Sequence, residues 1–325
     1  MRALLALLVF IASAAAQSSI NPDDFRDKKE LRNADVSQLW RTLGINGKIR
    51  ETTSNGAKDT GQTFNCGEDD RCAAQLVGLT WPLVDGAGYD AVVRIAPAYL
   101  NANMRRFLVF HQEEGGSWRL VDYLDSTEWD YDQPGVSVVS SGGMAWLLVT
   151  AWPHCGTGCS LIHTDWFELK NGRLRMVLTL PISGHQVNEN PGRQFETRFV
   201  RASQSEGRET LEFIYHVEFA PGFFSTVDAN LWDDERVVRF SRLIGRGEFK
   251  FDSKNSKASQ KAFVESIFSA NELGPPRLLE LIQDHLLVIA GGPHNRRREW
   301  LKEVLEQNPT LPELARVRAA FAKDR

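Results

Sequence analysis

Leu211, Phe213, Tyr215, Val217 and Phe219 alternate with Glu212, His216 and Glu218. A period of two gives a strand with one core face and one wet face. Phe195, Thr197 and Phe199 alternate against Glu196 and Arg198 in the same way. Ala145–Ala151 (AWLLVTA) is a short apolar run between Gly142-Gly143 and Pro153, the length and flanking of a buried strand. The runs Leu161–Leu169 and Arg173–Leu180 are separated by Asn171-Gly172. That dipeptide suits a type I′ turn, whose two central residues need positive φ, so the pair reads as a hairpin. Phe107–Phe110 and Trp118–Leu124 flank Gly115-Gly116 as a further hairpin, and Arg236–Ile244 and Gly247–Phe251 close the series. Short links between successive strands imply antiparallel neighbours, a meander.

Elsewhere the period is helical. Phe25, Leu31, Val36, Leu39, Trp40 and Leu43 predict one amphipathic helix ending near Gly44. Glu51–Gln62 (ETTSNGAKDTGQ) has no periodicity and reads as an exposed loop. Beyond Ser256, Ala262, Phe263, Ile267 and Phe268 sit at helical spacing. After Pro275-Pro276 come helices over Arg277–Ile289, Arg296–Gln307 and Leu311–Lys323, the last with Thr310 as its expected N-cap. The fold class is therefore mainly β: an antiparallel meander (sandwich, open barrel or incomplete propeller-like) with a C-terminal α-helical subdomain. The chain divides into a signal peptide (1–16), an N-terminal helix and exposed loop (17–65), an antiparallel β domain (66–252) and the helical subdomain (253–325).

The first of these segments sets the expected compartment. Arg2 precedes an apolar run, Ala3–Ala12, and Ala14-Ala15-Ala16 fits a cleavage site for small residues. The chain is thus expected to be secreted or periplasmic after cleavage near Ala16, and no stretch is long enough for a membrane span. A net charge of −4 excludes a general nucleic-acid binder, which carries a basic excess. In an exported chain the spacings C-x5-C and C-x3-C favour two local disulfides, Cys66–Cys72 and Cys155–Cys159, among three possible pairings. Neither spacing is that of a zinc knuckle, and no metal or cofactor is expected.

Between Leu83 and Arg94 the chain reads LVDGAGYDAVVR. Gly88-Tyr89-Asp90 followed by an apolar strand resembles the calcium loop of integrin-type FG-GAP repeats, which form blades of β-propellers. Asp85 and Gly88 fall on matching positions, whereas Leu83, Ala87 and Ala91 stand where that family has acidic ligands. The resemblance implies a propeller-related blade; the loop lacks most of the carboxylates that calcium takes.

The signatures G-x-S-x-G and H-E-x-x-H and the Walker loop are absent. His163 and Asp165 fall on one side of a strand with His154 in the turn before it, an imidazole beside a carboxylate. These three are the candidate catalytic residues. The candidate ligand-binding residues are Trp129, Asp130, Tyr131 and Asp132, in the acidic aromatic loop Asp122–Asp132 (DYLDSTEWDYD). Exposed aromatics there would stack on sugar rings or anchor a protein, and the carboxylates would hold a hard cation or hydroxyls. Trp146 and Trp166 are expected in the core. The sequence reads as an exported, non-catalytic binding or structural module whose partner is a protein or glycan. The alternative is a secreted hydrolase using His163 and Asp165.

Overall fold

The computed structural model describes residues 20–53, 55–80, 83, 89–98, 104–127, 135–151, 159–186, 192–220, 232–251 and 283–323. The protein is mainly β, and every ladder with a described register is antiparallel. The strands are β1 (Lys29–Arg32), β2 (Lys48–Thr53), β3 (Gly56–Thr63), β4 (Arg71–Thr80), β5 (Asp90–Pro97), β6 (Met104–Gln112), β7 (Trp118–Thr127) and β8 (Val136–Ser141). They continue with β9 (Met144–Ala151), β10 (Cys159–Lys170), β11 (Arg173–Gln186), β12 (Gly192–Ser205), β13 (Arg208–Ala220), β14 (Trp232–Leu243) and β15 (Lys250–Phe251). One sheet has the order β1-β4-β5-β6-β7, a second runs β15-β14-β13-β12-β11-β10-β9-β8, and β2-β3 is a separate hairpin. None of them closes into a barrel. The chain forms two compact units: Met1–Ala151 with Asp165–Val177, and Trp152–Thr164 with Leu178–Arg325.

In the first unit β5 and β6 are buried on both faces. Ala91, Val93, Ile95, Leu108 and Phe110 pack with Val36, Leu39, Trp40 and Phe64. Val92, Phe107 and Val109 project the other way, onto Leu124, Leu147, Val149, Phe167 and Leu174. A strand covered on both sides reads as a continuous apolar run, as Phe107–Phe110 does. Helix α1 (Asn33–Leu43) buries Val36, Leu39 and Trp40, one stripe at helical spacing. Its start is tied by the Asp35 carboxylate, which accepts from the Arg32 N–H at 2.9 Å. Its end is Gly44 at φ +66°, as expected for a left-handed C-terminal residue.

Two N-terminal expectations are corrected. The helix expected from Phe25 starts only at Asn33. Phe25 closes a 3₁₀ turn, Pro22–Phe25, capped by the Asn21 side chain, and Leu31 lies on β1 opposite Cys72. Burial of Phe25 and Leu31 satisfies the apolar pattern without a helix between them. The expected loop Glu51–Gln62 is the hairpin β2–β3, in which Thr53 pairs with Gly56, the first residue of β3, at φ +119°. Most of β3 is exposed, so no hydrophobic alternation marks it.

The hairpins expected at Gly115-Gly116 and Asn171-Gly172 are present, and Gly142-Gly143 turns a third between β8 and β9, with positive φ at all six residues. In the second unit, β12–β14 show the predicted alternation: Phe195, Leu211, Phe213, Tyr215, Val217, Val238 and Phe240 are buried. Phe213 packs between Phe199 and Phe240, with ring centroids 5.4 and 5.7 Å away. The described C-terminal helices are α2 (Gln283–Ala290), α3 (Arg296–Gln307) and α4 (Ala315–Lys323). Asn295 caps α3 by accepting from the Arg298 N–H. Thr310 is not an N-cap: a 3₁₀ turn, Pro312–Leu314, precedes α4, and Leu311 occupies its cap position. The helix expected at Ala262–Phe268 and the start of the next lie outside the described residues.

Candidate functional site

Trp129, Asp130, Tyr131, Asp132, His154 and Cys155 lie outside the described residues, and Cys159 opens β10. His163 and Asp165 are half-buried on β10, and His163 has no hydrogen-bond or ion-pair partner among the described residues. Trp146 and Trp166 are in the core as expected, with rings 5.8 Å apart. Cys66 and Cys72 form the expected disulfide, with Cα atoms 4.8 Å apart.

The strand half of the acidic loop is already engaged. Asp122 and Asp125, on β7, are enclosed by Arg50 from β2 and Arg106 from β6. Arg50 Nη1 donates to Asp122 Oδ1 at 2.6 Å and to the Tyr123 carbonyl at 2.7 Å. The other Asp122 oxygen accepts from the Leu174 N–H at 2.7 Å. Arg106 forms a two-pronged pair with Asp125, both bonds 2.7 Å, and its remaining donors reach the carbonyls of Asn46 and Lys48. Its guanidinium carbon lies 4.7, 5.2 and 4.6 Å from the ring centroids of Trp40, Phe64 and Tyr123. Burial raises the Tyr123 phenol above its ordinary range, against the pull of the two guanidinium groups. Each charge here has a partner, so the network fixes the β2–β3 hairpin against β7 rather than offering ligands. The expectation that Asp122–Asp132 holds a cation or hydroxyls is thus corrected for Asp122 and Asp125.

An imidazole oriented by a carboxylate does occur, at a place the sequence did not reveal. His111 Nδ1 meets Asp90 Oδ1 at 2.8 Å, and both side chains are buried. The other Asp90 oxygen accepts from the Leu83 N–H. Asp90, the aspartate after Gly88-Tyr89, is therefore spent on internal bonds. His111 and Asp90 are opposite residues of the β5–β6 ladder, and only a known register would bring them together. No described side chain bonds His111 as a nucleophile, and Asp90 is its one described partner. In the second unit, bonds from His216 and Gln194 hold the half-buried Glu218 carboxylate below its usual range.

The described residues of the first unit also leave an open cavity of about 440 Å³. Its walls are the 3₁₀ turn, β1 and the Asp35–Thr42 side of α1. Phe25, Leu31 and Leu39 supply a buried apolar floor, with Ile20 packed against the same core. Asp24, Glu30 and Asp35 ring it against one cation, Lys29. Lys29 Nζ sits 5.7 Å from the centroid of the Phe25 ring, within reach of a cation–π contact. A concave apolar floor with a few polar groups at its margin is the usual form of a small-molecule site. Sequence reasoning missed it because Phe25, Leu31 and Leu39 read as one helix face, whereas three separate elements carry them.

Among the described residues no group of three or more His, Cys, Asp or Glu is arranged to hold a metal. No described helix is long and apolar enough to cross a membrane. No protein-family model matches the chain, and no curated protein sequence matches it.

Proposed function

We propose that the protein is an exported, non-catalytic binding module whose ligand site is the cavity formed by Pro22–Phe25, β1 and α1. The cavity carries this reading: it joins exposed carboxylates to an apolar floor, while the charged groups of the β2–β7 network are consumed by one another. Export rests on the Arg2 start, the apolar run to Ala12 and the alanines before Gln17, with the Cys66–Cys72 disulfide consistent with an oxidising compartment. Hydrolysis by His163 and Asp165 lacks a comparable observation, since nothing described orients the His163 ring.

The test is ligand-observed NMR with a fragment panel on the wild-type protein and on Thr42→Trp. Thr42 lines the cavity from the outer turn of α1, so an indole there fills it from the rim. Fragments that bind the wild type and not T42W support the reading. Fragments that bind both equally, or none that bind either, overturn it.

A further inference from the structure

We propose that two copies of this chain associate face to face through the solvent side of β12, β13 and β14, about a two-fold axis that crosses these strands at Arg198, Ile214 and Val237. This surface belongs to the second unit and is independent of the cavity. Ladder register sets its residues in rows across the three strands. Arg201, Glu212 and Arg239 make one row, Arg198, Ile214 and Val237 the next, and Glu196, His216 and Glu235 the third. Phe195, Phe213, Tyr215 and Val238 project to the opposite side and are buried, so the three rows share the wet face.

That face has an apolar centre and segregated charge. Val200 and Val237 are 41% and 37% exposed, and Val200 is the residue that the β12 bulge adds between Phe199 and Arg201. On one side of this centre, exposed Arg201 and Arg239 share Glu212, at 3.4 and 2.7 Å. On the other side Glu196 and Glu235 flank His216, which meets Glu218 at 3.0 Å. Glu196, Arg198 and Glu235 are exposed and have no ion-pair or hydrogen-bond partner among the described residues. A partner of one charge would be repelled by half of this face. A second copy is not. The outer rows lie about 13 Å apart along β13, with Ile214 midway. A two-fold axis across the strands, in the plane between two such faces, lays each strand over its own copy in reverse and exchanges these rows. Arg201 then meets the partner's Glu196, Arg239 the partner's Glu235, and Glu212 the partner's His216, each contact made twice. Ile214 and Val237 pack on their own copies, and Arg198 has the partner's Glu196 one row away. The patch is small and its pairs are charged, so the dimer is expected to be weak and sensitive to salt.

The experiment is sedimentation velocity of the full chain over a concentration series at low ionic strength. A reversible monomer–dimer equilibrium is expected, moving toward monomer as salt is added. Arg239→Glu alone sets two like-charge contacts across the axis, and Glu235→Arg alone does the same. Each is expected to weaken the dimer about a hundredfold. Both positions are exposed, so the fold should be kept. Mixing the two variants restores opposite charges at both contacts, so the mixture is expected to dimerise although neither variant does so by itself. Monomer at every concentration, a dimer that survives either reversal, or a mixture that stays monomeric would overturn the proposal.

Discussion

Arg106 has no exposed surface, and its charge is answered by Asp125, two carbonyls and three aromatic rings. Taking one partner from a buried pair leaves an uncompensated charge in a low-dielectric site. Asp125→Ala is therefore expected to cost about 3–5 kcal/mol in a urea titration. Replacing Arg106 and Asp125 together with Met and Leu should cost much less, since no charge is stranded. The tyrosines give a second prediction at this scale. Burial raises the phenols of Tyr123 and Tyr215, with Thr197 pulling slightly the other way at Tyr215. Unfolded tyrosine ionises near pH 10. Above that pH the unfolded chain therefore holds fewer protons than the native one, and stability falls as pH rises. An absorbance titration of the five tyrosines should show Tyr215 silent until the protein unfolds and Tyr123 ionising above the ordinary range. Normal ionisation of all five in the native state would refute it. Little of this was legible in the sequence: Arg50, Arg106, Asp122 and Asp125 are brought together by ladder register and by an unrecognised hairpin, neither of which leaves a local mark.

At the scale of elements, strands with one wet face announced themselves. Leu211 to Phe219 alternates because β13 presents its other side to solvent, and Asn171-Gly172 turns its hairpin because the chain needs positive φ there. The β2–β3 hairpin was missed for the opposite reason, having almost no buried face to betray a period. Its stability rests on its turn and on the arginines that hold it. Gly56 stands at φ +119°, a conformation that L side chains rarely adopt. Gly56→Ala is expected to cost about 1–2 kcal/mol of hairpin stability, read as faster amide exchange over Lys48–Thr63 with β5 and β6 unchanged. Uniform protection across the hairpin in that variant would show that its turn is not what holds it. Leu31 teaches the same lesson from the other side: helical spacing from Phe25 to Leu43 was real, yet a 3₁₀ turn and a strand met part of it.

For the molecule as a whole, the sequence carried the class, mainly β with short helices at the C-terminal end, because alternation and turn residues repeat along most of the chain. It did not carry the cavity. A cavity is made by elements that meet, and Phe25, Leu31 and Leu39 belong to a turn, a strand and a helix. The most direct measurement is a ¹H–¹⁵N chemical-shift map of the isotope-labelled protein titrated with fragments that bind it in the ligand-observed screen. Shifts are expected only at the amides of Asp23–Phe25, Lys29–Arg32 and Asp35–Thr42, saturating with added ligand. Shifts centred on His163 and Asp165, or scattered without saturation, would contradict it.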